Sequence, residues 1–170
     1  MSVRVIVGAV VALVLAAGCR SAEPTEAGSD PLTSADFAEA ETAGTAFALE
    51  FVYDSLPSGA ARELRISPDG HCEGLYGGLT QHEMESGRRS GTLSAQERTA
   101  ILVALRDAPY DALARIPKER VIDGEPVLIV VTIGERRLKI ARQLEDLRTA
   151  GLEPLCRLLM VVLAHLPWTP

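Results

Sequence analysis

The sequence predicts an α+β domain: an antiparallel sheet of about five strands in the order β-β-β-α-β-β-α, with two helices packed on one face. Three observations carry that prediction. Phe47, Leu49, Phe51 and Tyr53 alternate with Ala48, Glu50, Val52 and Asp54, the period-two pattern of a strand with one buried face. Val127 to Ile133 is an uncharged run rich in β-branched residues, followed by the turn pair Gly134-Glu135 and a returning stretch with Leu138, Ile140 and Arg142. Leu152, Leu155, Leu159, Val162, Leu163 and Leu166 fall on one side of a helix. A chain of 170 residues, 47% hydrophobic and 24% charged, has the apolar content for one folded core and is too short for two ordinary domains.

The elements follow in order from Thr45. After the alternating first strand, a second over about Ala61 to Ser67 places Leu64 and Ile66 between Glu63 and Arg65. It meets Ser67-Pro68-Asp69-Gly70, where Pro68 presets φ and Gly70 accepts a positive φ, so the chain reverses into a third strand through Cys72, Leu75 and Tyr76. Gly77-Gly78 interrupts, Leu79 to Ser86 extends the strand, and Gly87-Arg88-Arg89-Ser90-Gly91 reads as an exposed loop. Ser94-Ala95-Gln96-Glu97 is a capping box, and Ile101, Leu102 and Leu105 form the stripe of the helix it opens, which ends near Asp107 ahead of Pro109. Tyr110 to Leu113 adds one further turn. The final helix, about Leu152 to Leu166, covers the sheet. Burying its five leucines and one valine contributes on the order of 10 kcal/mol before chain entropy, so truncation after Leu147 is expected to unfold the domain.

The amino-terminal stretch reads as an address. Arg4 precedes Val5 to Ala17, an uncharged apolar run within the length of a signal-peptide core and short of a bilayer span. It ends in Leu15-Ala16-Ala17-Gly18-Cys19, which resembles the lipobox of bacterial lipoproteins, although Leu15 lies one residue further from the cysteine than is usual. The resemblance implies a signal peptide over residues 1–18, removed on export, and acyl chains on Cys19, palmitate among them. Two or more chains exceed the marginal membrane binding of one. It also implies a domain in the cell envelope, with Arg20 after the cysteine favouring the outer membrane and its periplasmic side. Residues 19–44 then read as the lipidated cysteine and a disordered acidic tether. From Ser21 to Gly44 the acids Glu23, Glu26, Asp30, Asp36, Glu39 and Glu41 face no base, and like-charge repulsion favours extension. Ala35 to Ala43 has the composition of a short helix after Ser34, with one aromatic side chain to bury. Residues 45–170 form the single α+β domain.

Leu64-Arg65-Ile66-Ser67-Pro68-Asp69-Gly70, Gly91-Thr92-Leu93-Ser94 and Leu105-Arg106-Asp107-Ala108 resemble small uncharacterised exported bacterial domains and are more distantly similar to the emfourin-type proteinaceous inhibitors of metalloproteases. The likeness spans roughly Phe47 to Leu166 in element order. It implies inhibition of a metalloprotease. The chain departs from emfourin relatives after the first strand, where Ser55-Leu56-Pro57-Ser58-Gly59 replaces a Gly-Gly-Phe-Ala-Gly stretch.

With Cys19 lipidated, Cys72 and Cys156 remain as an even pair in an oxidising compartment, either bridged or present as two buried thiols. His71, Cys72, His82 and Glu83 are the one cluster with metal-ligand chemistry, and their spacing matches no zinc or copper pattern. His165 sits near the carboxyl end of the last helix. No Gly-x-Ser-x-Gly, Ser-x-x-Lys or His-Glu-x-x-His occurs, Glu83 and Glu85 read as solvated, and Gly74, Gly77 and Gly78 lack the Lys-Ser or Lys-Thr of a phosphate loop. No catalytic residue, metal or cofactor is therefore expected. Arg88-Arg89 and Arg136-Arg137 read as loop tips that either face water or meet an acidic partner. A net charge of −6 and only seven aromatic residues argue against nucleic acid as partner. The expected function is a membrane-tethered, non-enzymatic binding or structural module with an envelope protein as partner. An emfourin-like inhibitor is the alternative.

Overall fold

The computed structural model of the chain describes residues 31–55, 60–77, 87–117 and 124–169. Six strands form one sheet: β1 (Ala48–Ser55), β2 (Ala60–Ile66), β3 (His71–Tyr76), β4 (Gly87–Thr92), β5 (Pro126–Ile133) and β6 (Arg136–Gln143). Their order is β4-β3-β2-β1-β5-β6, and every neighbouring pair is antiparallel. The fold is α+β, with six strands in place of the expected five or so. Five helices accompany them: α1 (Ser34–Ala43), α2 (Ala95–Arg106), α3 (Tyr110–Ala114), α4 (Leu144–Thr149) and α5 (Glu153–His165).

The first strand lies at the centre because both of its neighbours match its alternation. Leu49, Phe51 and Tyr53 stand opposite Ile66, Leu64 and Arg62 on one side, and Val131, Ile129 and Val127 on the other. These side chains share the face that the helices cover, and apart from Arg62 they turn the period-two pattern into a continuous apolar layer across three strands. The α5 stripe of Leu155, Leu159, Val162 and Leu163 lies on that layer, over β2 and β3. Gly74 marks the closest approach: a Cβ there would overlap the Leu163 Cδ1, so β3 admits the helix only where it lacks a side chain.

The turn at Ser67–Gly70 forms as its residues dictate. The Gly70 amide donates to the Ser67 carbonyl at 2.8 Å with Gly70 at φ 88°, and the Ser67 amide donates to the His71 carbonyl at 2.8 Å. At α2 the Ser94 hydroxyl accepts from the Glu97 amide at 3.2 Å while Glu97 Oε2 accepts from the Ser94 amide at 2.7 Å, the reciprocal box read from the sequence. Tyr110 and its neighbours form α3, whose tyrosine hydroxyl donates to the Leu105 carbonyl at 2.6 Å and locks it against the end of α2.

Two expectations change. The stretch 87–91 is a strand rather than a loop: its inner side is Gly87, Arg89 and Gly91, which carries no apolar alternation, and the apolar partners come instead from Leu166, Pro167 and Trp168. Within the expected tether, residues 31–44 belong to the folded domain. Leu32, Phe37 and Ala40 are buried, α1 packs along α2, and Gly44 at φ 65° closes the helix as the Thr45 amide donates to the Ala40 carbonyl at 2.9 Å. Phe37 finds the partners its own segment lacks, including Tyr110, whose ring centroid lies 6.4 Å away. The expected signal peptide, Cys19 and residues 20–30 of the tether lie outside the described residues, as does the expected extension from Leu79 to Ser86. No helix among the described residues is long and apolar enough to cross a membrane.

Candidate functional site

The two edges of the sheet end differently, and the contrast defines the site. At β4 the chain adds its own strand: the Ser90 amide donates to the Pro167 carbonyl at 3.1 Å, and the Thr169 amide donates to the Arg88 carbonyl at 3.0 Å. This short segment is held by stacking. Arg62 lies between the rings of Tyr53 (5.5 Å) and Tyr76 (5.0 Å), and Arg89 between Tyr76 (5.3 Å) and Trp168 (3.8 Å), so cations and aromatics alternate from β1 to the added segment. Arg89 also donates to the Ala164 and Leu166 carbonyls at the carboxyl end of α5, where a cation is favoured.

At β6, among the described residues, only one end is occupied. Pro31 bridges Arg137 in parallel, and Arg136 donates to the Pro31 carbonyl at 3.0 Å and pairs with Asp36. Beyond that bridge the antiparallel register decides which groups point outward. The Leu144 amide donates to the Glu125 carbonyl at 2.8 Å, and pairing continues through Val127↔Arg142 and Ile129↔Ile140. Even-numbered residues therefore bond to β5, and the backbone N–H and C=O of Lys139 and Ala141 face away from the sheet. Beside them runs a groove of about 450 Å³ between β6 and α3, lined by Tyr110, Leu113 and Ala114 on one wall and 138–142 on the other.

The groove has an apolar wall and cationic groups. Lys139 and Arg142 are the charged residues among those lining it, and Lys139 makes no ion pair among the described residues. Arg142 Nη2 donates to the Leu113 carbonyl at 3.4 Å, which ties β6 to α3, while its Nη1 is buried without an acceptor among the described residues. Burial pushes the Tyr110 phenol well above its ordinary range, so that wall stays neutral. The arrangement offers main-chain hydrogen bonds, apolar contact and positive charge side by side. Among the described residues its lining holds no histidine, cysteine, serine or carboxylate.

The residues singled out in the sequence are dispersed. Cys72 and Cys156 are both buried free thiols. Cys72 lies near the start of α2, with its Sγ 3.5 Å from the Gly70 carbonyl oxygen, whereas Cys156 lies in the first turns of α5. Leu166, at the other end of α5, touches Gly91, the β4 partner of Cys72. Ten residues of helix, about 15 Å along its axis, separate Cys156 from Leu166, so the thiols belong to opposite ends of α5. Burial raises each thiol to about 11, which suppresses the thiolate at neutral pH. His71 is exposed, 3.7 Å from Glu73, and His165 is exposed at the end of α5. His82, Glu83 and Glu85 lie outside the described residues, and no group of three or more metal-ligating side chains forms among the described ones. Arg88 and Arg89 split across the two faces of β4, and Arg136 is committed to Asp36.

The edge position of β6 is not legible in the sequence. Its composition, Arg-Arg-Leu-Lys-Ile-Ala-Arg-Gln, carries four cations and no acid, and that signal was present. Its position at an edge was not, because strand order depends on long-range pairing. Comparison of the chain with protein-family models finds no match, and neither does comparison with curated proteins.

Proposed function

We propose that the mature protein is a non-enzymatic binding module of the bacterial cell envelope, held at a membrane by acyl chains on Cys19, with its folded domain on the periplasmic side of the outer membrane. The carrying observation is the outward-facing backbone of Lys139 and Ala141 above an apolar groove, a surface that fits recognition and lacks the groups of a reaction centre. The lipobox-like Leu15-Ala16-Ala17-Gly18-Cys19 supports the address. Eleven residues run between Cys19 and Pro31. The test is fractionation of cells expressing the wild type and Cys19→Ser. The wild type should partition with membranes and carry an acyl mass, and the variant should not. Equal partitioning of the two overturns the attachment.

The inhibitor reading has one specific observation in its favour. Two of the stretches that resemble emfourin relatives form a single corner, where the Leu93 amide donates to the Gly70 carbonyl at 3.0 Å and Arg98 Nη2 donates to the Pro68 carbonyl at 3.3 Å. On that reading the protein titrates a thermolysin-like metalloprotease with defined stoichiometry. Absence of inhibition across several such proteases removes it.

A further inference from the structure

We propose that the β6 edge from Lys139 to Gln143 takes up an extended, acidic segment of a partner protein as an added strand, an inference that rests on the binding-module reading and names its ligand class. The fold already performs this addition at the opposite edge, where Pro167–Thr169 pair with β4 through main-chain bonds. At β6 the matching donors and acceptors of Lys139 and Ala141 are turned outward, and no strand pairs with them among the described residues.

Charge selects the occupant. A second copy of the chain would bring the 139–143 stretch of one β6 against that of another, setting Lys139 and Arg142 of one strand against the same two cations of the other, with no acid on that stretch. Like charges across a strand pair are unfavourable, and opposite charges are favourable by a similar amount. An incoming strand with carboxylates on alternate residues faces Lys139 on the open side of the sheet. Its remaining side chains point to the other side, towards Leu113, Ala114 and Tyr110. Main-chain bonds supply affinity and the two walls supply selection.

The experiment uses the full-length protein in detergent micelles. The probe is an end-blocked synthetic peptide alternating Glu and Val, and a Lys-Val peptide is the control. Hydrogen exchange at the Lys139 and Ala141 amides and peptide fluorescence anisotropy are both followed. The acidic peptide should bind at millimolar concentration or below and slow exchange at those two amides, and the basic one should not. Ala141→Pro deletes an amide that β5 does not use, so native circular dichroism and Tm persist while binding weakens at least about tenfold. Lys139→Glu should reverse the preference between the two peptides. Four outcomes overturn the proposal: no binding at millimolar peptide; unchanged binding by Ala141→Pro; slow exchange at both amides in the free monomer, which means that the chain's own segment fills the edge; or protection that appears with concentration, which means a second copy does. The two readings fail separately. Loss of peptide binding with wild-type membrane partitioning removes the edge alone, and peptide binding by a chain whose fractionation ignores Cys19→Ser removes the attachment alone.

Discussion

The guanidinium of Arg89 stacks on the indole of Trp168 at 3.8 Å and, with the same side chain, donates to the Leu166 carbonyl at 3.0 Å. One residue of β4 therefore holds both the end of α5 and the added segment. Arg89→Ala should destabilise the domain by about 2 kcal/mol and lower Tm by roughly 5–10 °C. Trp168 is the single tryptophan, so its emission should shift to the red in the variant under native conditions. Unchanged emission would show that the segment stays seated without the arginine.

Gly74 and Leu163 form a contact with no spare room. Gly74→Ala should destabilise by about 1–3 kcal/mol through overpacking. Leu163→Ala alone should cost about 2–5 kcal/mol as a cavity. In the double variant the new methyl occupies part of that cavity, so the two losses should sum to less than their separate values in urea titrations. Strict additivity would place the strain elsewhere.

Phe37 is fully buried although it lies in a segment of otherwise small and polar residues. Phe37→Ala should cost about 3–5 kcal/mol, an effect too large for a residue in a spacer. Limited proteolysis of the wild type should spare the bonds from Pro31 to Gly44, and the variant should be cut within α1.

Asp36 caps α1. The Thr33 hydroxyl, the Thr33 amide and the Arg136 guanidinium hold its carboxyl below the ordinary 3.8. A carboxyl lowered in the folded state adds stability above its ordinary value and loses it as pH falls through the folded value. The stability gap between wild type and Asp36→Asn should thus be constant near neutrality and close in acid, below about pH 4. A gap that persists there would mean that the asparagine is simply misfitted. Urea titrations over a pH series decide between the two.

The buried thiols give a further check. With both raised to about 11, Cys72 and Cys156 should resist iodoacetamide at neutral pH in the native state and react together on unfolding in denaturant. Mass spectrometry counts the adducts. Rapid alkylation of either thiol under native conditions contradicts its burial.

Local chemistry made much of this fold legible. The β5–β6 hairpin, the Ser67–Gly70 turn, the Ser94 box and the α5 stripe are each specified by residues close together in sequence. What was not legible depends on distant partners. β4 is a strand because segments near residue 166 supply the apolar surface that Gly87, Arg89 and Gly91 lack, and α1 is buried because α2 and Tyr110 receive Phe37. The same limit applied to the candidate site: four cations on one strand were visible, whereas its place at the end of the sheet required the full pairing order.

Pro31 lies on the flank of β6, and Thr169 lies on the flank of β4. With the pairing of each to its edge strand counted, seven inter-strand spacings separate those two points, about 33 Å measured across the strands. Tension applied between the two points pulls along the hydrogen bonds rather than along the strands. The covalent path then runs from Pro31 into α1 and from Thr169 into α5, so the terminal segments and these two helices take the load before the sheet ladders do. Its resistance to such a pull therefore begins at two side-chain contacts, the Arg89–Trp168 stack on one side and the Asp36–Arg136 pair on the other.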